Sequence, residues 1–195
     1  MALKDLTKAL SSPERAYHYA LGVIEGPFPR GEAVIAQDAE YAYYYARDVI
    51  GGRWPLGEDI ISFSPKESYL YARDVVKGQW LEGELAIAQD AGYAYYYARD
   101  IIEGRFPLGE PVIAQHANWS LDYALNVIRG RWPEGEDAIS QISEDACDYA
   151  SNVIKSRWLE AENVIAQDPQ WASVYYDHFK EYFTEQEKIM WLLKI

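Results

Sequence analysis

The stretch Tyr41-Ala42-Tyr43-Tyr44-Tyr45-Ala46-Arg47-Asp48 returns unchanged at Tyr93 to Asp100. The copies start 52 positions apart, twice a shorter period. Ala20, Ala46, Ala72, Ala98, Ala124 and Ala150 are spaced 26 residues apart without insertion. A tyrosine precedes each: Tyr19, Tyr45, Tyr71, Tyr97, Tyr123 and Tyr149, with Tyr175 continuing the series in a divergent last copy. Self-similarity at such a period marks a repeat array.

Within each copy the constant positions lie on one helical face. Four before the alanine sits a small residue (Ala16, Ala42, Ser68, Ala94, Ser120, Ala146, Ala172), and three and four after it come β-branched residues such as Val49 and Ile50. These offsets fit about 100° per residue, and no alternation favours a strand. Ser12-Pro13, Ser64-Pro65 and Asp168-Pro169 read as helix N-caps followed by proline in the first turn, with Asp38 and Asp90 opening helices without proline. Gly26, Gly52, Gly78, Gly104 and Gly130 stand where a left-handed C-terminal cap is expected, with Ser156 the exception. Arg53-Trp54-Pro55-Leu56-Gly57-Glu58, echoed at Arg105 to Glu110 and Arg131 to Glu136, then starts a shorter helix carrying an invariant isoleucine, Ile35 in the first copy and Ile61 in the second.

The expected fold is therefore all-α, an α-solenoid of stacked two-helix 26-residue repeats. Each repeat holds a helix of about 13 residues, a tight turn and a shorter helix; neither helix can bury its stripe alone, and stacking makes one core. The chain reads as a single repeat domain: residues 1–11 cap the N-terminus, 12–167 form six repeats, and 168–195 form a divergent repeat with a closing helix. That helix carries Ile189, Trp191, Leu192, Leu193 and Ile195 and either caps the core or pairs with another chain.

Composition narrows the function classes. Acidic residues outnumber basic ones 31 to 18, a formal charge of −13, which opposes direct binding to a nucleic-acid backbone. A single cysteine, Cys147, allows no internal disulfide and favours a reducing compartment. No apolar run is long enough to span a bilayer, and the first residues do not resemble a signal peptide. The expectation is a cytoplasmic protein with no membrane association.

No catalytic constellation emerges. His18, His116 and His178 fall at three different repeat positions without metal-ligand spacing, so neither metal nor cofactor is expected. The constant tyrosines lie mid-stripe, where a buried hydroxyl needs a partner; the glutamate found once per repeat (Glu32, Glu58, Glu84, Glu110, Glu136, Glu162) is the candidate. Both residue types are read as structural, and the chain as a non-enzyme.

The variable positions carry the candidate binding surface. Tyr17, Tyr43, Tyr69 and Tyr95 border the core in the first four repeats, where later repeats have Leu121, Cys147 and Ser173. Arg47, Arg73 and Arg99 follow their tyrosines by four residues, within stacking reach, and Tyr44 and Tyr96 lie further out. Tyrosine and arginine are common anchors of protein interfaces. The competing reading makes this stripe the packing between neighbouring repeats.

The string of Tyr-Ala-Arg-Asp-Val-Ile, glycine and Arg-Trp-Pro-Leu-Gly-Glu resembles short tandem helical repeats with YARDVIKGRWPEGE-like units, found in bacteriophage, bacterial and large-virus proteins. The resemblance runs from about Ser12 to Gln167. It implies a scaffold, a phage origin, and an inhibitor that binds a host protein and blocks or sequesters it. Two further readings stand beside that one: an acidic nucleic-acid mimic using Asp48, Asp74 and Asp100, which share one offset, and a rod that self-associates through its C-terminal helix.

Overall fold

The computed structural model describes residues 3–193. These residues form two compact units, one ending at Gly109 and one beginning at Glu110. Among the described residues all regular structure is helical, and within each unit repeated helix pairs pack against their neighbours. This is the solenoid-like organisation the period predicts.

In the first unit a helix at Leu3–Ala9 precedes the repeats. Each longer repeat helix has seven α-helical residues that run directly into five π-helical ones. Pro13–Tyr19 continues as Ala20–Ile24, Ala39–Tyr45 as Ala46–Ile50, Pro65–Tyr71 as Ala72–Val76, and Ala91–Tyr97 as Ala98–Ile102. The continuous helix is thus close to the expected length, but its last turn is wider. The shorter helices, Pro29–Ile35, Pro55–Ile61 and Leu81–Ile87, pack against the longer ones.

The second unit repeats the scheme. It contains Glu110–Ile113, Ala117–Tyr123 with Ala124–Ile128, Pro133–Ile139, Ser143–Tyr149 with Ala150–Ile154, and Glu162–Ile165. A longer helix, Pro169–Phe179, and the closing helix Glu185–Leu192 end it.

The caps follow the sequence with two corrections. Ser12, Asp38, Asp90 and Asp168 each accept a backbone N–H of their helix's first turn. Ser64 does not, because its hydroxyl is donated to the Glu67 carboxylate. The left-handed position at the C-terminal end is one residue earlier than expected. It is taken by Glu25, Gly51, Lys77, Glu103, Arg129 and Lys155. The glycine that follows does not supply the reversal: Gly26, Gly52 and Gly78 instead donate their N–H to the alanine that opens the π turn, at 3.1–3.2 Å.

A second set of glycines is where backbone shape does matter. A Cβ on Gly57, Gly83 or Gly109 would stand 2.3–2.6 Å from the ring of Trp54, Trp80 or Phe106. It would also meet Ala42, Ser68 or Ala94 at 3.3, 2.9 and 2.7 Å. The small residue of the long helix and the glycine of the short helix let the two elements approach this closely. The aromatic fills the space beside them.

The constant tyrosines join consecutive repeats. Tyr45, Tyr71 and Tyr97 are fully buried. Their hydroxyls donate to Glu32, Glu58 and Glu84 of the preceding repeat at 2.9, 2.7 and 3.0 Å. The same hydroxyls accept the backbone N–H of Phe28, Trp54 and Trp80 at 2.7–2.9 Å. In the second unit Tyr123, Tyr149 and Tyr175 bind Glu110, Glu136 and Glu162, and Tyr149 and Tyr175 accept from Trp132 and Trp158. The tyrosine–glutamate pairing read from the sequence is present, with the glutamate 13 residues upstream. Each hydroxyl acts as donor and acceptor at once, which satisfies an otherwise orphaned amide before the short helix.

At the C-terminus the closing helix caps the core. Trp191 is buried, stacks on Tyr175 with ring centroids 5.5 Å apart, and donates its indole N–H to the Ala172 carbonyl at 2.9 Å. A capping box between Thr184 and Glu187 fixes the start of this helix. Ile189 and Leu193 are exposed, and Ile195 lies outside the described residues.

Candidate functional site

The stripe of Tyr17, Tyr43, Tyr69 and Tyr95 is placed by the seven-residue α segments of the first unit, one tyrosine per repeat. All four are buried. Tyr17 donates its hydroxyl to Asp48 of the next repeat at 2.8 Å. Tyr43 donates to Asp74 at 2.5 Å and Tyr69 to Asp100 at 2.9 Å. These hydroxyls are spent on contacts between repeats, so the stripe is first of all packing.

Arg47, Arg73 and Arg99 complete the ladder. Each guanidinium grips the adjacent aspartate through two nitrogens, at 2.6 and 2.8, 2.7 and 2.9, and 2.5 and 2.9 Å. Arg47 also donates to the Tyr43 hydroxyl, and Arg99 to that of Tyr95. The guanidinium carbons stand 4.9–5.3 Å from the Tyr43, Tyr69 and Tyr95 ring centroids. Tyr44 and Tyr96 flank Arg47 and Arg99 at 5.0 Å. Tyr44 is itself anchored on Glu40 at 3.0 Å. Across the repeats, Tyr17 meets Tyr41 and Tyr44, and Tyr69 meets Tyr93 and Tyr96.

What faces solvent is the arginine edge. The side chains of Arg47, Arg73 and Arg99 are 39%, 45% and 41% exposed. Each sits over a tyrosine ring and is held at its far end by an aspartate. Such a guanidinium is pre-organised, and little rotamer freedom is lost when a partner covers it.

The electrostatics oppose acid–base chemistry here. Hydrogen bonds from the arginines hold the Asp48, Asp74 and Asp100 carboxyls below their ordinary range. Burial, followed by the aspartate contacts, pushes Tyr17 and Tyr43 up to about 12. At neutral pH the aspartates are charged and the tyrosines protonated, and neither is poised to exchange a proton. Cys147 is buried and its thiol is pushed up to about 11, chiefly by that burial. Among the described residues no group of three His, Cys, Asp or Glu is placed to hold a metal ion.

Two features lie beyond the sequence reading. Asp48, Asp74 and Asp100 were recognisable by their common offset, yet their tyrosine partners stand 31 residues upstream, one period plus five. That pairing follows from how neighbouring helices stack, which no single repeat encodes. The second feature is a cavity of about 730 Å³ at the N-terminal end of the first unit, lined by Asp5, Lys8, Ala9, Glu14, Arg15, His18, Tyr19 and Val23.

No protein-family model, curated protein or solved structure matches this chain. No helix among the described residues is long and apolar enough to cross a membrane.

Proposed function

We propose that this chain is a non-enzymatic, protein-binding repeat scaffold whose lateral surface, centred on Arg47, Arg73 and Arg99 with Tyr44 and Tyr96, docks a partner protein. The observation that carries this reading is the pre-organised arginine edge, repeated every 26 residues along the first unit. Three half-exposed guanidiniums, each stacked on an aromatic ring, form the kind of surface that supplies interface hot spots. If the origin is viral, as the repeat resemblance implies, the partner is a host protein that the scaffold blocks or sequesters in the cytoplasm.

The mimicry reading is weaker on the same geometry. Asp48, Asp74 and Asp100 are each neutralised by the adjacent arginine, so they form a poor imitation of a phosphate array. Self-association through Ile189 and Leu193 is the remaining alternative.

The test is capture of the partner from a bacterial lysate, with identification by mass spectrometry, followed by replacement of Arg47, Arg73 and Arg99 with glutamine. Loss of the purified partner at unchanged helicity supports the lateral surface; undiminished affinity removes it. Sedimentation of the chain lacking residues 184–195 separates partner binding from self-association.

A further inference from the structure

The outer ladder of the first unit has no counterpart between the fifth and sixth repeats, and a cleft lies there instead. Each rung of the ladder spans 31 residues: Tyr17 reaches Asp48, Tyr43 reaches Asp74 and Tyr69 reaches Asp100, with an arginine on every aspartate. The same offset between the fifth and sixth repeats joins Leu121 to Asn152, and Leu125 stands where the arginine would be. The phenol, the guanidinium and the carboxylate are all gone from this seam. Between the closing turns Ala124–Ile128 and Ala150–Ile154 lies a cleft of about 170 Å³. Leu125 and Val153 give it an apolar wall, and Arg129, Gly130, Asn152 and Lys155 a polar one.

The charge of this cleft runs against that of the chain, in which acidic residues outnumber basic ones 31 to 18. The ladder arginines and Arg53, Arg131 and Arg157 each pair with a carboxylate. Among the described residues, Arg129 and Lys155 make neither an ion pair nor a side-chain hydrogen bond, and no carboxylate lines the cleft. Asn152 is exposed, and its amide is likewise unbonded. Both cations follow the closing turn of a long helix, where positive charge complements the last carbonyls. That effect does not account for the pair. Glu25, Gly51 and Glu103 hold the same left-handed position in the first unit, so the helix end does not require a cation. Lys77 is the one cation of that series in the first unit, and its neighbours in it are Gly51 and Glu103. Among these six positions, only Arg129 and Lys155 place two cations in consecutive repeats and in one cleft.

We propose that this cleft binds the dianionic phosphate group of a small phosphomonoester. Two unpaired cations match the charge of the group. The Arg129 fork can take two phosphate oxygens, and Lys155 acts as a point charge on the third. The Asn152 amide adds a neutral donor. Leu125 and Val153 offer the ester carbons an apolar contact. Pockets for drug-sized ligands run to roughly 300–1,000 Å³. A cleft of this size holds the phosphate and the carbons next to it, and recognises little else. The formal charge of −13 opposes general accumulation of anions on the chain, so saturable binding requires a local arrangement of this kind.

The probes are inorganic phosphate and methyl phosphate, titrated into the full chain at fixed ionic strength and followed by amide NMR, with acetate as the singly charged control. Saturable shifts are expected at Leu125, Arg129, Gly130, Asn152 and Lys155, with methyl phosphate bound at least as tightly as the free ion. Arg129→Gln and Lys155→Gln should each weaken binding about fivefold. Lys77→Gln, at the same repeat position but without a second cation, should leave it unchanged. All three are exposed substitutions, and matching urea midpoints would show that the fold is kept. Linear shifts, shifts spread along the chain, or undiminished affinity in the Arg129 and Lys155 variants overturn the site. Acetate bound as tightly as phosphate, or inorganic phosphate bound without methyl phosphate, overturns the assignment to a phosphomonoester. The cleft does not rest on the lateral surface: the triple arginine variant should bind methyl phosphate as the wild type does, whatever the fate of that proposal.

Discussion

The two units share one seam and differ in another. In both, a buried tyrosine hydroxyl links the glutamate of one repeat to the long helix of the next. Only the first unit is shown adding the outer ladder in which Tyr17, Tyr43 and Tyr69 reach aspartates held by arginine. In the second unit the tyrosine positions are Leu121 and Cys147, both buried, and the aspartate positions are Asn126 and Asn152. A stack of these repeats thus forms with or without tyrosine–aspartate rungs of this kind. The inner seam carries the architecture, and the outer one is free to vary.

The largest effect should come from breaking the inner seam. Tyr71 is fully buried, accepts the Trp54 amide and donates to Glu58. Tyr71→Ala should cost about 4 kcal/mol through the cavity it opens. Tyr71→Phe keeps the volume but strands the amide and the carboxylate, for about 2 kcal/mol. Urea unfolding measures both; a Tyr71→Phe cost no greater than that of Tyr43→Phe in the outer ladder would erase the distinction between seams. The same hydroxyls predict an alkaline limit. Burial raises Tyr45 to about 12. A folded pKa above the unfolded value gives stability that is whole below about pH 10. It is lost as pH rises through about 12, and tyrosinate absorbance should appear together with the loss of helix.

Next in size is the contact between the two helices of a repeat. A methyl at Gly83 would sit 2.5 Å from Trp80 and 2.9 Å from Ser68, whereas nothing lies within 4 Å of one at Gly78. Gly83→Ala should therefore cost about 1–3 kcal/mol. Gly78→Ala should be within about 0.5 kcal/mol of the wild type, or slightly stabilising. Ala161 occupies the equivalent place in the sixth repeat, buried, where Leu159 replaces the proline of the turn. Equal midpoints for the two alanine variants would show that this close approach is not a constraint.

These two sets of glycines show how far the sequence could be read. The period, the helical class, four of the five N-caps and the tyrosine–glutamate pairs were legible, because each depends on residues that recur at fixed offsets. The left-handed cap was misplaced by one residue. The reading followed glycine's preference for that conformation, whereas Glu25, Lys77, Glu103, Arg129 and Lys155 adopt it here. The tyrosine and arginine stripe was legible as a pattern, but its division between buried hydroxyls and exposed guanidiniums needed the stacking geometry. The N-terminal cavity left no trace in composition, since it depends on how Leu3–Ala9 sits beside the first long helix.

The outer ladder should show a smaller, pH-dependent contribution. Arginine hydrogen bonds depress the Asp74 carboxyl, and a depressed folded pKa gives stability that is present above the unfolded value of about 3.9. That stability is lost as pH falls through the folded pKa. Arg73 is half-exposed, so solvent screening limits the contribution to about 1 kcal/mol. Asp74→Asn should lower stability by about that amount at pH 7 and flatten the acid limb below pH 4. An unchanged acid limb would assign acid sensitivity to the inner glutamates instead.

The smallest effect concerns the aromatic that both units share. Trp80 and Trp132 are buried with their indole N–H groups unpartnered, while Phe28 and Phe106 fill the same seat without an N–H. Two terms then oppose each other in Trp80→Phe. The smaller ring gives up packing beside Gly83, and the desolvation cost of an orphan donor disappears. Because both terms are of order 1 kcal/mol, the net change should stay below about 1 kcal/mol, measured as a shift in urea midpoint. The same replacement at Trp191, whose indole N–H is bonded to Ala172, has no compensating gain and should cost more. If Trp80→Phe proves the costlier of the two, the indole N–H of Trp80 has a partner in solution, and the seat is selected for tryptophan rather than for any flat ring that fits against tyrosine and glycine.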